Sequence, residues 1–170
     1  MKSKKNLVLL GMMGSGKSTI GSIVSKKLNI NFFDTDKFIE KETNMTIKEI
    51  FNKKGESFFR DLEEKTVLKL LQSSNNVISL GGGSFINEKV RTEVLTNNFS
   101  LWLNWKTSKL INRIKNSKKR PIAFNLKNNE LIHLIEKRSK IYEKASFKIN
   151  CDKMTKTEIV NKILYLYEHN

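Results

Sequence analysis

Gly11-Met12-Met13-Gly14-Ser15-Gly16-Lys17-Ser18-Thr19 follows the apolar run Leu7-Val8-Leu9-Leu10 and fits the pattern G-x-x-x-x-G-K-[ST]. A glycine-rich turn between a strand and a helix aims backbone N–H groups inward, and the helix N-terminus adds partial positive charge, so the turn can hold phosphate. In this reading Gly14, Ser15, Gly16, Lys17, Ser18 and Thr19 contact ATP, Lys17 meets the β- and γ-phosphates, and the Ser18 hydroxyl ligates Mg²⁺. The flanks agree. Apolar residues stand before the turn, and Ile20, Ile23, Val24 and Leu28 recur after it at helical spacing.

Working outward, the pattern predicts strands over 6–10, 32–34, 77–80, 99–103 and 145–150. Helices are expected over 17–28, from about 38 to 41, from 46, and over 56–72, 87–96, 108–114, 128–142 and 155–166. Thr46 with Glu49, and Thr155 with Glu158, stand at capping-box spacing, and Gly55 interrupts the helical run between them. The polar stretch Asn116-Ser117-Lys118-Lys119-Arg120-Pro121 contains the only proline, which marks a lid over about 115–126. Alternating strands and helices imply an α/β chain with a mainly parallel sheet covered on both faces. The C-terminal ends of the first three strands carry the phosphate loop, Asp34-x-Asp36 and Gly81-Gly82-Gly83, at the edge where such sheets bind ligands.

At 170 residues the chain suits one domain, 1–170. Its single cysteine, Cys151, excludes an internal disulfide framework and points to a reducing, cytoplasmic setting. Lys2, Lys4 and Lys5 before an apolar run imitate a secretory signal, but the phosphate loop cuts that run short, and no stretch reaches the roughly eighteen apolar residues of a membrane span. The net charge of +15 raises nucleic acid as a partner. The lysines, however, are spread along the whole length with no base-stacking or groove-reading motif beside them, so the expectation is no nucleic acid, no membrane and a monomer. Only five of the 32 basic residues are arginines: Arg60, Arg91, Arg113, Arg120 and Arg138. Where lysine serves nearly everywhere, an arginine suggests a site that wants a planar, two-pronged donor.

Asp34-x-Asp36 at the end of the second strand reads as extended chain, in which an i, i+2 spacing turns both carboxylates to one side. Asp34 would assist Mg²⁺, and Asp36 would accept or orient a substrate hydroxyl for attack on the γ-phosphate. Arg60 and Arg138 would each offer a fork of donors to a substrate anion, and Arg120 would reach the transferring phosphoryl group. Three of the eight glycines form Gly81-Gly82-Gly83, where unusual backbone angles or close ligand approach are expected.

Six motifs, namely the phosphate loop, Asp34-x-Asp36, Phe59-Arg60-x-x-Glu63, Gly81-Gly82-Gly83, Arg120-Pro121 and Arg138-x-x-x-Tyr142, fall in an order and spacing that resembles the shikimate kinase family. The resemblance covers about 6–166. It implies a three-layer α/β/α P-loop kinase fold with a central five-stranded parallel sheet, a substrate-binding helical region at about 35–62, and transfer of the ATP γ-phosphate to the 3-hydroxyl of shikimate. By matched position it assigns shikimate binding to Asp36, Arg60, Gly82 and Arg138, with Asp36 also the base. Lys17 and Arg120 become the phosphate-facing cations, Ser18 and Asp34 the Mg²⁺ side, and Arg113 the neighbour of adenine. Cys151-Asp152-Lys153-Met154 departs from the family in lacking an arginine or proline near adenine. A gluconate-type or nucleoside-monophosphate kinase would share the loop and the size, and a nucleotide-dependent nucleic-acid module would use the charge, but neither accounts for the six motifs together.

Overall fold

The computed structural model describes residues 5–116 and 126–170. Arg120, Pro121 and most of the expected lid lie outside the described residues. Five strands, β1 (Leu7–Leu10), β2 (Asn31–Asp34), β3 (Asn76–Ser79), β4 (Phe99–Asn104) and β5 (Phe147–Asn150), form one sheet in the order β2-β3-β1-β4-β5. Every neighbouring pair is parallel. Among the described residues the helices are α1 (Lys17–Leu28), α2 (Thr35–Thr43), α3 (Ile47–Leu71), α4 (Glu88–Asn97), α5 (Thr107–Lys115), α6 (Asn128–Tyr142) and α7 (Lys156–Glu168). A 3-10 turn, Ser84–Ile86, follows the glycine triplet. None of these helices is long and apolar enough to cross a membrane.

β1 shows why the chain layers as it does. Successive side chains of a strand point to opposite faces, and all four residues of β1 are buried, as expected of a central parallel strand. Leu7 and Leu9 pack with Ile20 and Val24 of α1 and with Ile159, Val160 and Ile163 of α7. Val8 and Leu10 pack on the other face with Val67 and Leu71 of α3, Val90 of α4, Leu110 of α5 and Leu131 of α6. The three-layer arrangement is therefore written in the alternation of four residues. A third, smaller cluster of Ile39, Ile50 and Phe59 holds α2 against the first half of α3.

The caps follow their sequence signals. Thr46 Oγ1 accepts from Glu49 N–H at 3.2 Å and Glu49 accepts from Thr46 N–H at 2.8 Å; Thr155 and Glu158 repeat the pair before α7. Gly55 interrupts α3 as the sequence predicts. Its φ of 84° and ψ of 170° are non-helical and open to glycine, so α3 is two helical segments joined at a kink. β3 starts one residue earlier than expected and β5 two later, and ladder pairing sets both limits: Asn76 pairs with Asn31, and Phe147 with Leu101.

The end of the sheet opposite the three motifs is closed by buried asparagines that the pattern did not announce. Asn6 is 1% exposed. Its amide donates to Ser73 O at 2.6 Å and Asn98 Oδ1 at 2.8 Å, and its oxygen accepts from the backbone and side chain of Asn76 at 3.1 and 3.0 Å. One side chain thus aligns the starts of β1, β3 and β4. Asn6→Ala would leave several buried polar groups unpaired, and at about 1–3 kcal/mol for each such group we expect a loss of about 2–4 kcal/mol in urea unfolding.

Candidate active site

The order β2-β3-β1 sets the C-terminal ends of these strands side by side, so three motifs distant in sequence meet at one edge. From β1 comes the phosphate loop. Gly14 (φ 82°) and Gly16 (φ 92°) take left-handed angles, the alternation that turns successive N–H groups into a concave anion site. No acidic residue stands in the first turn of α1, so the partial positive charge of that helix end is unopposed within the helix. The Lys17 side chain is buried over the loop and donates to Gly11 O at 2.8 Å and Met12 O at 3.1 Å. Ser15 is buried in the loop, while Ser18 and Thr19 stand exposed in the first turn of α1.

From β2 comes Asp34, whose placement corrects the extended-chain expectation. Asp34 ends the strand and caps α2, accepting from Lys37 N–H at 3.3 Å. Asp36 already lies in the first helical turn. The two carboxylates therefore do not share a side by strand alternation; the helix start separates them. Asp34 accepts a short hydrogen bond from the Ser18 hydroxyl. Asp36 is turned toward β3, where a Cβ added to Gly81 would lie 2.6 Å from Asp36 Oδ1 and 2.7 Å from Glu63 Oε1.

From β3 comes the glycine triplet, each member of which faces a different group. An added Cβ at Gly82 would sit 3.2 Å from Met13 N and 3.5 Å from Arg138 Nη1; at Gly83 it would sit 2.6 Å from Arg60 Nη1. None of the three has a positive φ. The triplet is glycine because charged groups and the phosphate loop approach it closely, not because its backbone is unusual. Thr35 Oγ1 accepts from Gly81 N–H at 2.9 Å, and the Tyr142 hydroxyl donates a short bond to Gly82 O, so both ends of the triplet are pinned.

The two arginines differ in their surroundings. Arg60 on α3 donates to Glu63 Oε2 at 2.8 Å and to Glu56 Oε1 at 3.2 Å. Burial alone would lower its pKa, but the Glu63 and Glu56 carboxylates outweigh burial and raise it. Arg138 on α6 is buried beside the Tyr142 hydroxyl, with its Nη1 3.7 Å from Met12 Sδ. Among the described residues no carboxylate forms an ion pair with it. A buried cation without an opposite charge is costly, and an anion placed beside it would offset that cost. A cavity of about 390 Å³ opens beside Arg60, Gly83 and Arg138.

Asp36, Arg60, Gly82 and Arg138 thus come together around the triplet, and Lys17, Ser18 and Asp34 gather next to them. Arg113 lies apart from the triplet, on α5 over the outer side of the loop, 3.4 Å from Gly14 O. Ser84 and Trp105 stand at the site without having been singled out, and Glu63, named only as part of a motif, stands there too. Glu63 is 4% exposed, holds Arg60, and accepts from the Ser84 hydroxyl at 2.7 Å; its i, i+3 spacing to Arg60 was the available signal. Trp105 donates to Ser15 O at 2.9 Å, which no sequence pattern announced. In the departing segment, Cys151 N–H is bound to Asn104 O, and the Asp152 carboxylate turns back to accept from Lys106 N–H at 3.0 Å. Burial, reinforced by Asp152, pushes the Cys151 thiol up to about 12, so it stays protonated and unreactive.

A family model described as shikimate kinase matches residues 13–168. A shikimate kinase of Sulfurihydrogenibium sp. (strain YO3AOP1) is 41% identical over 162 residues, covering 94% of this chain and 96% of that one. The crystal structure of shikimate kinase from Aquifex aeolicus vf5 is similar with a TM-score of 0.87 at 37% identity, covering 97% of each chain. The shikimate kinase from Acinetobacter baumannii in complex with shikimate has a TM-score of 0.90 at 29% identity, over 98% of this chain and 94% of that one.

The Tyr142 hydroxyl offers a test of how the triplet is held. Burial pushes its pKa from 10.0 up to about 12 against the opposing charge of Arg138. A phenol that keeps its proton longer in the folded state contributes stability that is complete below pH 10 and is lost as pH rises through about 12. We expect Tyr142→Phe to lose about 1 kcal/mol in urea unfolding at pH 8, and its midpoint to fall less steeply than that of the parent chain above pH 10.

Proposed function

This chain belongs to the shikimate kinase family, and from that premise we propose how its own residues phosphorylate shikimate with ATP. The observation that carries the reading is the surround of Gly81-Gly82-Gly83. Asp36 and Glu63 crowd the Cβ position of the first glycine and Arg60 that of the third, while the phosphate-loop backbone and Arg138 border the second at 3.2 and 3.5 Å. A small ring bearing one carboxylate and several hydroxyls suits that surround: arginine forks for the carboxylate, Asp36 and the Gly82 backbone for hydroxyls. The phosphate loop adjoins the same glycines, so a γ-phosphate held there faces the acceptor.

In this proposal Arg138 and Arg60 bind the shikimate carboxylate. Arg138 contributes an uncompensated buried charge, and Arg60 a guanidinium aimed by Glu63. Asp36 orients the 3-hydroxyl and takes up its proton as the oxygen attacks the γ-phosphorus. Phosphoryl transfer is loose, with charge spread over the equatorial oxygens, so most of the catalysis is positioning and charge stabilisation. Lys17 supplies one cation, its ammonium leaving the Gly11 and Met12 carbonyls for phosphate oxygens, and Arg120 supplies another. The loop N–H groups from Gly14 to Thr19 hold the β-phosphate, and Arg113 contacts the base. Ser18 and Asp34 form a pair of hard oxygen donors beside the loop, which fits Mg²⁺, an ion that takes one or two protein oxygens and completes its shell with phosphates and water. That ion, when bound, would neutralise developing negative charge on the phosphates.

We expect the protein with MgATP to release ADP in a coupled assay when shikimate is supplied. Turnover with gluconate or a nucleoside monophosphate but none with shikimate would overturn the reading. Asp36→Asn should lower kcat about 10²–10⁴-fold while MgADP still binds; near-parent turnover would remove Asp36 from the base role. Arg138→Lys should raise the KM for shikimate about tenfold or more, since a point charge does not replace a two-pronged donor.

A further inference from the structure

Trp105 stands between β4 and α5 and belongs to neither, yet it touches two parts of the nucleotide site. Its indole N–H donates to Ser15 O at 2.9 Å, and the Arg113 guanidinium lies 3.8 Å from its ring centroid. Arg113 in turn reaches Gly14 O at 3.4 Å. The ring is anchored from behind, packing against the apolar clusters on both faces of the sheet.

Each contact has a consequence for a nucleotide. A trans peptide points its C=O and N–H in opposite directions. By drawing Ser15 O to itself, Trp105 therefore holds the Gly16 N–H on the face of the loop turned away from it. Gly16 is one of the two left-handed residues that shape the anion site. On the other side, a guanidinium lying over an aromatic ring is held by cation–π attraction and keeps one planar face for a further ring. Arg113 is exposed at the end of α5 against the loop, so a base leaving the loop region would meet that face.

We propose that Trp105 is a positioning residue for nucleotide binding, which fixes the phosphate loop through Ser15 O and stacks Arg113 in place for the base. The proposal rests on the nucleotide-site reading above, and it answers how base contacts arise where Cys151-Asp152-Lys153-Met154 offers neither arginine nor proline. It makes phosphate and base recognition depend on one indole. Losing its N–H weakens the hold on phosphate, and losing the ring weakens the hold on the base as well.

The test is calorimetric titration of MgADP and of inorganic tripolyphosphate with Mg²⁺ into the parent chain, Trp105→Phe and Trp105→Leu. Phenylalanine keeps a ring but no N–H, and we expect it to weaken both ligands about 3–10-fold, the scale of one hydrogen bond. Leucine also removes the cation–π partner and should weaken MgADP a further ~2–5-fold relative to tripolyphosphate. The KM for shikimate should stay within about twofold, against the parallel rise that general loosening would give. Parent affinity for MgADP in both variants, or equal loss for MgADP and shikimate, overturns the proposal. A second measurement does not depend on either variant folding: in Trp102→Phe, where Trp105 is the remaining indole, MgADP should change the tryptophan emission saturably, and a flat titration counts against the proposal. The calorimetric and emission readings require no turnover; the KM comparison alone does. A parent chain that binds MgADP through Trp105 but does not phosphorylate shikimate would sink the substrate assignment and leave this inference standing.

Discussion

A Cβ at residue 81 or 83 would displace the ends of charged side chains, those of Asp36 and Glu63 or of Arg60, and one at residue 82 would press on the phosphate-loop backbone at 3.2 Å; the rest of the site is built on that close approach. Two carboxylates and two guanidiniums reach one short backbone segment because the segment presents nothing but peptide. Thr35 and Tyr142 hold that backbone from either end, so the absence of side chains does not become looseness. Glycine serves here through its missing volume. In the phosphate loop, where Gly14 and Gly16 take positive φ, it serves through its backbone freedom.

The electrostatics follow from the same convergence. Glu63 is buried with its two oxygens divided between Ser84 and Arg60, so its charge is satisfied within the fold and is spent on aiming an arginine. Arg138 is buried with no such partner among the described residues, and Lys17 rests on two loop carbonyls. A buried cation such as Arg138, with no ion pair among the described residues, gains most when an anion arrives, because a charge–charge interaction of low dielectric then replaces weaker dipolar ones. The +15 net charge adds a broad attraction for anions, whereas in the proposed mechanism discrimination falls to these few buried groups.

Much of this was legible beforehand. The phosphate loop was readable because its chemistry is local: spacing, backbone freedom and a helix start are all encoded within nine residues. Both threonine–glutamate caps were readable for the same reason. Asp34-x-Asp36 was found, but its geometry was misjudged, since the helix begins at Thr35 and an N-cap carboxylate looks in sequence like the end of a strand. Glu63 was visible as part of a motif, but its burial was not. Trp105 and the asparagines at 6, 76 and 98 gave no signal, because an aromatic after a strand reads as core and an asparagine before one reads as a turn.

By itself the sequence determined the class of the protein: a parallel α/β sheet with a phosphate loop after its first strand, and six short motifs that name a family. These are properties of neighbours along the chain, where periodicity, capping and glycine placement act over a few residues. Only the tertiary structure decided that β2, β3 and β1 lie in that order, and so which motifs share a site. It alone showed which arginine is paired with carboxylates and which has no ion pair among the described residues, and that an indole ties the loop to the helix beside it. Those facts depend on packing between segments as far apart as residues 12 and 138, and no local pattern carries that information.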